Sequence, residues 1–361
     1  MNEPQATPLT HTPPTIPLTA HILRFTGRVT EPIHLPTFSG SSLRGAFASH
    51  LRRAFCPEWR AEKTDPAHRA RCPACYMLTL DGAALDAVEE ERHGDIRRPY
   101  ALRPPLDAPR TYQPGDRLHF HMVLFGRTLA FLPYLLLTVQ GMGEEAGLGL
   151  RDPHTRRRGR FQLESVQAEN PFTDQVQTVL APGERTVQLP TIPVTDAQIR
   201  QAAYALIARL GGQGNRLALR FRTPLRLQQR RQLLDRPEPF PLIKHVVRRV
   251  LDLAAQHGEG RPDVVLRRDV YPFADQVTLL EDQTRWWDVE GYSSRLGRRQ
   301  KLGGLVGRAV YTAPAWEPLL PWLLWGSVTQ VGKNIVKGAG LYELECETAS
   351  ETEEPWPSSN T

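Results

Sequence analysis

An α+β fold in two domains is what this sequence predicts, on three observations. A chain of 361 residues exceeds one typical domain. Strict alternation from Arg117 to Phe125 puts Leu118, Phe120, Met122 and Leu124 on one face of a strand. Helical spacing recurs at Leu43, Phe47, His50 and Ala54, and again at Ile243, Val246, Val247, Val250 and Ala254.

Taken in order, residues 1–17 are rich in Pro and Thr and are expected to be a disordered tail. A strand is expected from Thr19 to Val29. Ser41 or Ser42 then caps a helix that runs to Phe55. Residues 56–105 form a charged, Cys-containing insertion. After the strand at Arg117–Phe125, Leu129–Met142 is expected to be helical, with Pro133 in the first turn where proline is tolerated. A basic loop, 151–160, leads into a strand at Phe161–Val166. A further strand is expected at Val187–Ile192 and a helix at Asp196–Leu210, ended by Gly211, Gly212 and Gly214.

The domain boundary is expected there, giving domains 18–212 and 213–346 and a second tail at 347–361. The second half has a strand at Arg216–Phe221, a helix at Pro241–Gln256, strands at 285–292 and 302–311, a helix at 316–326 and a strand at 341–346. Each half thus runs β-α-β-β-α-β, the ferredoxin-like (RRM-like) split βαβ order.

Composition narrows the function classes. With 45 Lys+Arg against 39 Asp+Glu the formal charge is +6, a modest basic excess. Its clustering is more informative. Arg151, Arg156, Arg157, Arg158 and Arg160 crowd one loop, and Arg295, Arg298, Arg299 and Lys301 another. Such runs are ordinarily solvated surface, but two of them raise the odds of a polyanion partner, and Arg binds phosphate bidentately. The N-terminus lacks the basic start and apolar core of a signal peptide. No apolar run reaches membrane-spanning length. A soluble, cytoplasmic protein with no membrane partner is expected.

The most distinctive stretch is Trp325 to Leu344, in which Gly332, Lys333, Lys337, Gly338 and Gly340 fall between a Trp- and Leu-rich helix and a strand. Glycine lets a backbone or a phosphate come close, and the two lysines add charge. This is not a Walker loop. That motif precedes its helix and ends in Lys-Ser or Lys-Thr, whereas Asn334 follows Lys333. A helix C-cap with a tight turn into an edge strand is the plain alternative.

Together with Leu302-Gly303-Gly304-Leu305-Val306-Gly307 this loop resembles the C-terminal half of the CRISPR-associated endoribonucleases that process precursor CRISPR RNA, members of the RAMP superfamily. Ser42-Leu43-Arg44-Gly45-Ala46-Phe47, Leu124-Phe125-Gly126-Arg127 and Phe221-Arg222-Thr223-Pro224-Leu225 are also similar, so the resemblance spans roughly residues 18–346. It implies two tandem ferredoxin-like domains that bind CRISPR repeat RNA in a basic groove. It implies metal-independent cleavage by 2′-hydroxyl attack, leaving a 2′,3′-cyclic phosphate and a 5′-hydroxyl. Other subunits of a CRISPR interference complex are the further partners. A non-cleaving RNA-holding subunit of such a complex is the alternative.

That chemistry needs a base, an acid and cations, and no catalytic cofactor. The resemblance places the general base on the first helix, where His50 stands beside Arg52 and Arg53; His34 is the second candidate. Lys333 is expected at the phosphate and against transition-state charge. RNA contacts are expected from Arg52, Arg53, Arg295, Arg298, Arg299, Lys301, Gly332, Lys333, Lys337, Gly338 and Gly340. For each, a packing histidine or solvated surface cation is the plain alternative. His119 and His121 alternate on the polar face of a strand and are expected to be merely exposed.

Cys72 and Cys75 form a Cys-x2-Cys pair, preceded by Cys56 and His68. Two thiolates on one tight turn suit tetrahedral zinc, and His68 or His93 would complete the set. A structural zinc on Cys56, His68, Cys72 and Cys75 is expected, with unligated thiols as the alternative.

Overall fold

The computed structural model describes residues 14–61, 64–80, 96–106, 110–212, 214–293 and 298–346. The first half contains β1 (Ala20–Val29), β2 (Ile33–His34), α1 (Gly40–Phe55), α2 (Pro66–Arg71), α3 (Pro73–Thr79), β3 (Tyr100–Arg103), β4 (Thr111–Tyr112) and β5 (Arg117–Phe125). It continues with α4 (Leu132–Gly141), β6 (Leu148–Arg151), β7 (Arg158–Gly159), β8 (Phe161–Asn170) and β9 (Gln175–Leu180). A connecting helix, α5 (Asp196–Gly211), leads to β10 (Arg216–Leu225), the small hairpin β11 (Gln228–Gln229) and β12 (Gln232–Leu233), α6 (Pro239–His257), α7 (Leu266–Asp269) and α8 (Tyr271–Ala274). The chain closes with β13 (Thr278–Trp287), β14 (Glu290–Ser293), β15 (Arg298–Lys301), β16 (Gly304–Thr312), α9 (Leu320–Thr329) and β17 (Tyr342–Cys346).

Two antiparallel sheets result, ordered β3-β5-β1-β8-β9 and β13-β16-β10-β17. In each, the βαββαβ strands lie in the order second, third, first, fourth, so the tandem ferredoxin-like arrangement is what the chain adopts. Alternation fixes the first sheet. Leu23, Phe25, Leu118, Phe120, Met122 and Leu124 point into a core closed by Phe47 and Leu51 of α1 and Leu135 and Val139 of α4. The second core is not confined to its own half. Ile22, Ala101, Val123 and Phe125 from the first sheet join Val247, Leu251, Leu323 and Trp325.

The end of α6 clasps the first half. Buried His257 receives a hydrogen bond from the Tyr76 hydroxyl at Nδ1 (3.2 Å) and donates from Nε2 to the Arg97 carbonyl (2.7 Å). Arg97 also reaches Asp252 (3.0 Å), and the Gln256 side chain accepts from the Arg97 amide.

Several expectations are corrected. The inward stripe of α1 is Leu43, Ala46, Phe47, Ala48 and Leu51; Ala54, in the last turn, is exposed. Val187–Ile192 is not a strand. Gln177 bonds its backbone instead, and the strand beside β8 is β9, at 175–180. The basic loop 151–160 is largely a hairpin, β6–β7. The strands expected at 285–292 and 302–311 are β13 and β16, with the separate hairpin β14–β15 between them. Ile16, placed in the first tail, is 2% exposed within the second core. The rest of that tail up to residue 13, and all of 347–361, lie outside the described residues.

Candidate functional site

The glycine-rich loop is a compact knot after α9. Asn334 and Gly338 both take left-handed backbone (φ 64° and 85°), which folds residues 335–337 into a single tight turn. The buried Gln330 side chain donates to the Ala339 carbonyl (2.9 Å), and the Gly340 amide to that of Pro224 (3.1 Å). Where a Cβ would stand at Gly332, Gly338 and Gly340, the backbone of Arg226, the ring of Pro104 and the backbone of Val331 already lie. These glycines serve close packing within the protein.

The knot is wedged against the first half. The Lys337 carbonyl rests on Gly40, the first residue of α1, and Gly338 rests on Pro104 beyond β3. Arg103 of β3 donates to the Ser327 and Val328 carbonyls (3.1 and 3.3 Å), and Arg249 of α6 to that of Thr329 (2.8 Å), so two buried guanidiniums cap the end of α9. Burial lowers both arginines, to about 10 and about 9. The β14–β15 hairpin leans on the same end of α1, with Gly291 against the Ser41 hydroxyl.

Cations gather at this junction. The Lys337 ammonium donates to the Gln300 side chain at 3.0 Å, joining knot to hairpin. Burial, and then the Arg44 guanidinium one turn into α1, holds Lys337 below the ordinary lysine range. Arg298, Arg299 and Lys301 are exposed on β15, and Arg299 pairs with Glu290 (3.2 Å). Arg295 lies outside the described residues. Lys333 is exposed, and its amide is tied to the Arg226 carbonyl (3.1 Å).

A second basic hairpin flanks β2. Gly149 of β6 rests on the backbone of His34, and Gly159 of β7 on that of Pro32 and Ile33. Asp152 holds its turn by accepting the amides of His154 and Thr155 (2.9 and 2.7 Å), which keeps that carboxyl below the usual range. Arg151, Arg156 and Arg157 are exposed around it. His34 is exposed, with Nδ1 3.2 Å from the Thr111 hydroxyl, and residues 35–39 lead directly from it into α1.

His50 lies elsewhere. It is ten residues past Gly40, about 15 Å along the helix at ~1.5 Å per residue. Its ring packs on Gly141 of α4, with Nδ1 4.0 Å from Glu145. The structure does not bring it to Lys333 or Lys337. Arg52 donates to the Trp59 carbonyl (3.2 Å), and Arg53 lies over the Trp59 ring, so both belong to the far end of α1. His119 and His121 are half-buried rather than merely exposed. They meet Thr26 (3.1 Å) and Glu169 (3.3 Å) across the sheet. Sequence reasoning missed Arg44, Arg103 and Gln300 as members of the junction. Arg44 stood within a stretch already singled out, but nothing in the spacing showed which residue would face it.

The metal-ligating set is brought together as expected. One donor atom from each of Cys56, His68, Cys72 and Cys75 lies within 4.8 Å of the others. Cys56 Sγ is 3.6 Å from both Cys75 Sγ and His68 Nε2. Ligands about 2.3 Å from a tetrahedral zinc stand roughly 3.7 Å apart, so the spacing fits. His68 Nδ1 lies 3.4 Å from Glu58, which turns Nε2 toward the thiols, the usual support of a metal-bound imidazole. Burial first, and the neighbouring thiols after it, push Cys75 up to about 12; a bound cation reverses that penalty. These residues can hold a metal such as zinc. His93 lies outside the described residues, and Cys346 is on β17.

Comparison with known proteins adds the family. Residues 219–342 match the CRISPR-associated endoribonuclease Cas6 family, and residues 18–192 match a family described as an N-terminal domain. No curated protein matches. Among solved structures, a Cas6 product complex of the Thermus thermophilus protein shares the fold at TM-score 0.53 and 14% identity, over 90% of this chain and 100% of that one. A partial Cas6-RT-Cas1–Cas2 complex matches at TM-score 0.54 and 12% identity over 93% of this chain, which spans 48% of that longer one. The family match identifies the second half, residues 219–342, as a CRISPR-associated Cas6 endoribonuclease domain, set on a tandem fold shared with solved Cas6 structures along nine-tenths of the sequence.

Proposed function

We propose that the protein is an endoribonuclease that binds CRISPR repeat RNA and cleaves precursor CRISPR RNA without a catalytic metal. The 2′-hydroxyl attacks the adjacent phosphorus and leaves 2′,3′-cyclic phosphate and 5′-hydroxyl ends. The observation that carries this is the seat of the Lys337 carbonyl on Gly40. It sets a cationic knot, Arg44 and an arginine hairpin on the start of α1, with the β6–β7 arginines beside the strand that leads there. A-form RNA is gripped through its backbone and shape, which suits arginines on two hairpins. Lys333, Arg298, Arg299 and Lys301 are the backbone contacts on the loop side, and Arg151, Arg156 and Arg157 on the other. His34 is the better placed of the two candidate bases, because its exposed ring lies on the approach to α1. A zinc on Cys56, His68, Cys72 and Cys75 would hold α2 and α3 to the end of α1; a four-ligand site leaves no open position for chemistry.

The placement of His50 against α4 favours a second reading, an RNA-holding subunit that does not cut. Incubation with repeat RNA in EDTA separates the two. Cyclic-phosphate ends support the enzyme, and tightly bound intact RNA supports the holder. His34→Ala is expected to lose about 10²- to 10⁴-fold in cleavage rate while still binding RNA. The same loss in His50→Ala, with His34→Ala fully active, would move the base to the middle of α1.

A further inference from the structure

We infer that Lys337 is the proton donor to the leaving 5′-oxygen, with Gln300 as its positioning residue. This rests on the cleavage proposed above and names the acid for it. As the 2′-oxygen bonds to phosphorus, its proton passes to the base, His34. The P–O5′ bond breaks, and the departing oxygen takes a proton from the Lys337 ammonium. The neutral amine then recovers a proton from solvent, and the products are a 2′,3′-cyclic phosphate and a 5′-hydroxyl.

Three features of the junction single out this lysine. First, its position is fixed. The backbone is locked between left-handed Asn334 and Gly338, and its carbonyl is seated on Gly40, so the side chain springs from a rigid point beside α1. Second, its ammonium is ordered but not neutralised. It gives one of three N–H bonds to Gln300, a neutral amide 3.0 Å away, and no carboxylate pairs with it among the described residues. Two N–H groups and a full charge are left for a phosphate. Third, its environment makes the proton easier to give. Burial and Arg44 bring its acidity toward the working range of a general acid. Of the elements packed around it, α1 supplies Arg44, β15 supplies neutral Gln300, and β3 supplies Arg103, which is spent on the carboxyl end of α9. Lys333 shares none of this, since it is exposed and, among the described residues, only its backbone is bound.

The test uses two repeat RNAs, one natural and one with sulfur replacing the bridging 5′-oxygen at the cut site. A thiolate leaves without protonation. Wild type is expected to cut both. Lys337→Met is expected to cut the natural RNA about 10²- to 10⁴-fold more slowly and the sulfur-bridged RNA at nearly the wild-type rate. An equal loss on both substrates, or no loss on either, overturns the inference while leaving the proposed cleavage intact. If wild type cuts neither, both fall together. Should the Met variant fold poorly, Gln300→Ala serves: removing the tether is expected to shift the alkaline limb of the natural-RNA pH profile and leave the sulfur-bridged profile unmoved. An unmoved natural-RNA profile overturns the inference.

Discussion

Gly40→Ala probes the contact on which the site depends. A methyl group added there would stand 2.7 Å from the Lys337 carbonyl carbon, and closer still to its oxygen. Carbon atoms pack best at about 3.5–4.0 Å, so loop and helix must part by roughly 1 Å. Forced overpacking of this kind costs about 1–3 kcal/mol. Alanine in place of glycine in a helix also returns roughly 0.5–1 kcal/mol, which must be separated from the clash. Gly45→Ala supplies that control, because it lies in the same helix, is exposed and has nothing within 4 Å of an added Cβ. The difference in urea unfolding between the two variants therefore isolates the clash, with Gly40→Ala less stable by about 1–3 kcal/mol. It should also slow cleavage of repeat RNA, which Gly45→Ala should not. Equal stability and equal activity would show that the knot does not sit on α1, and the proposed site would go with it.

Two further outcomes follow from other parts of the molecule. The purified protein is expected to carry about one zinc per chain, and Cys75→Ser to lose it together with thermal stability. Protein free of metal, with a melting curve unmoved by a chelator, would count against the site. Burial holds His257 at about 4 against an ordinary 6.5. The unfolded chain therefore binds a proton that the folded one refuses between those values, and stability is lost as pH falls through that window. The full loss approaches about 3 kcal/mol at 1.36 kcal/mol per pKa unit. His257→Gln should flatten the pH dependence of unfolding between pH 6.5 and 4, and an unchanged slope would refute the assignment.

How much of this was legible in the sequence depended on how local the cause was. The strand at 117–125 declared itself because one face is buried and the other is not, which writes a period of two into the residues. The metal set was legible because Cys72, Cys75 and His68 lie within one turn or two of each other. The β9 strand was not, since an edge strand with exposed Gln175 and Val176 has no apolar face to betray it. The neighbours of His50 on α4 were not legible, since its spacing from Leu43 and Phe47 says which side of a helix a residue takes but not which neighbour waits there. The junction itself joins Gly40, Gln300 and Lys337, whose proximity is set by the docking of the two sheets. No pattern within one segment could encode it, although the glycines and lysines of the loop marked one of its three parts.

The clasp between α6 and the first half bears on how the chain can be divided. Cutting it between 212 and 216 would strip the Tyr76 hydroxyl of its acceptor and bare Ile22, Val123 and Phe125 to water. Neither fragment would then be a free-standing module, and each would aggregate alone yet recombine when the two are produced together. Evolutionary shuffling of one half without the other is disfavoured for the same reason.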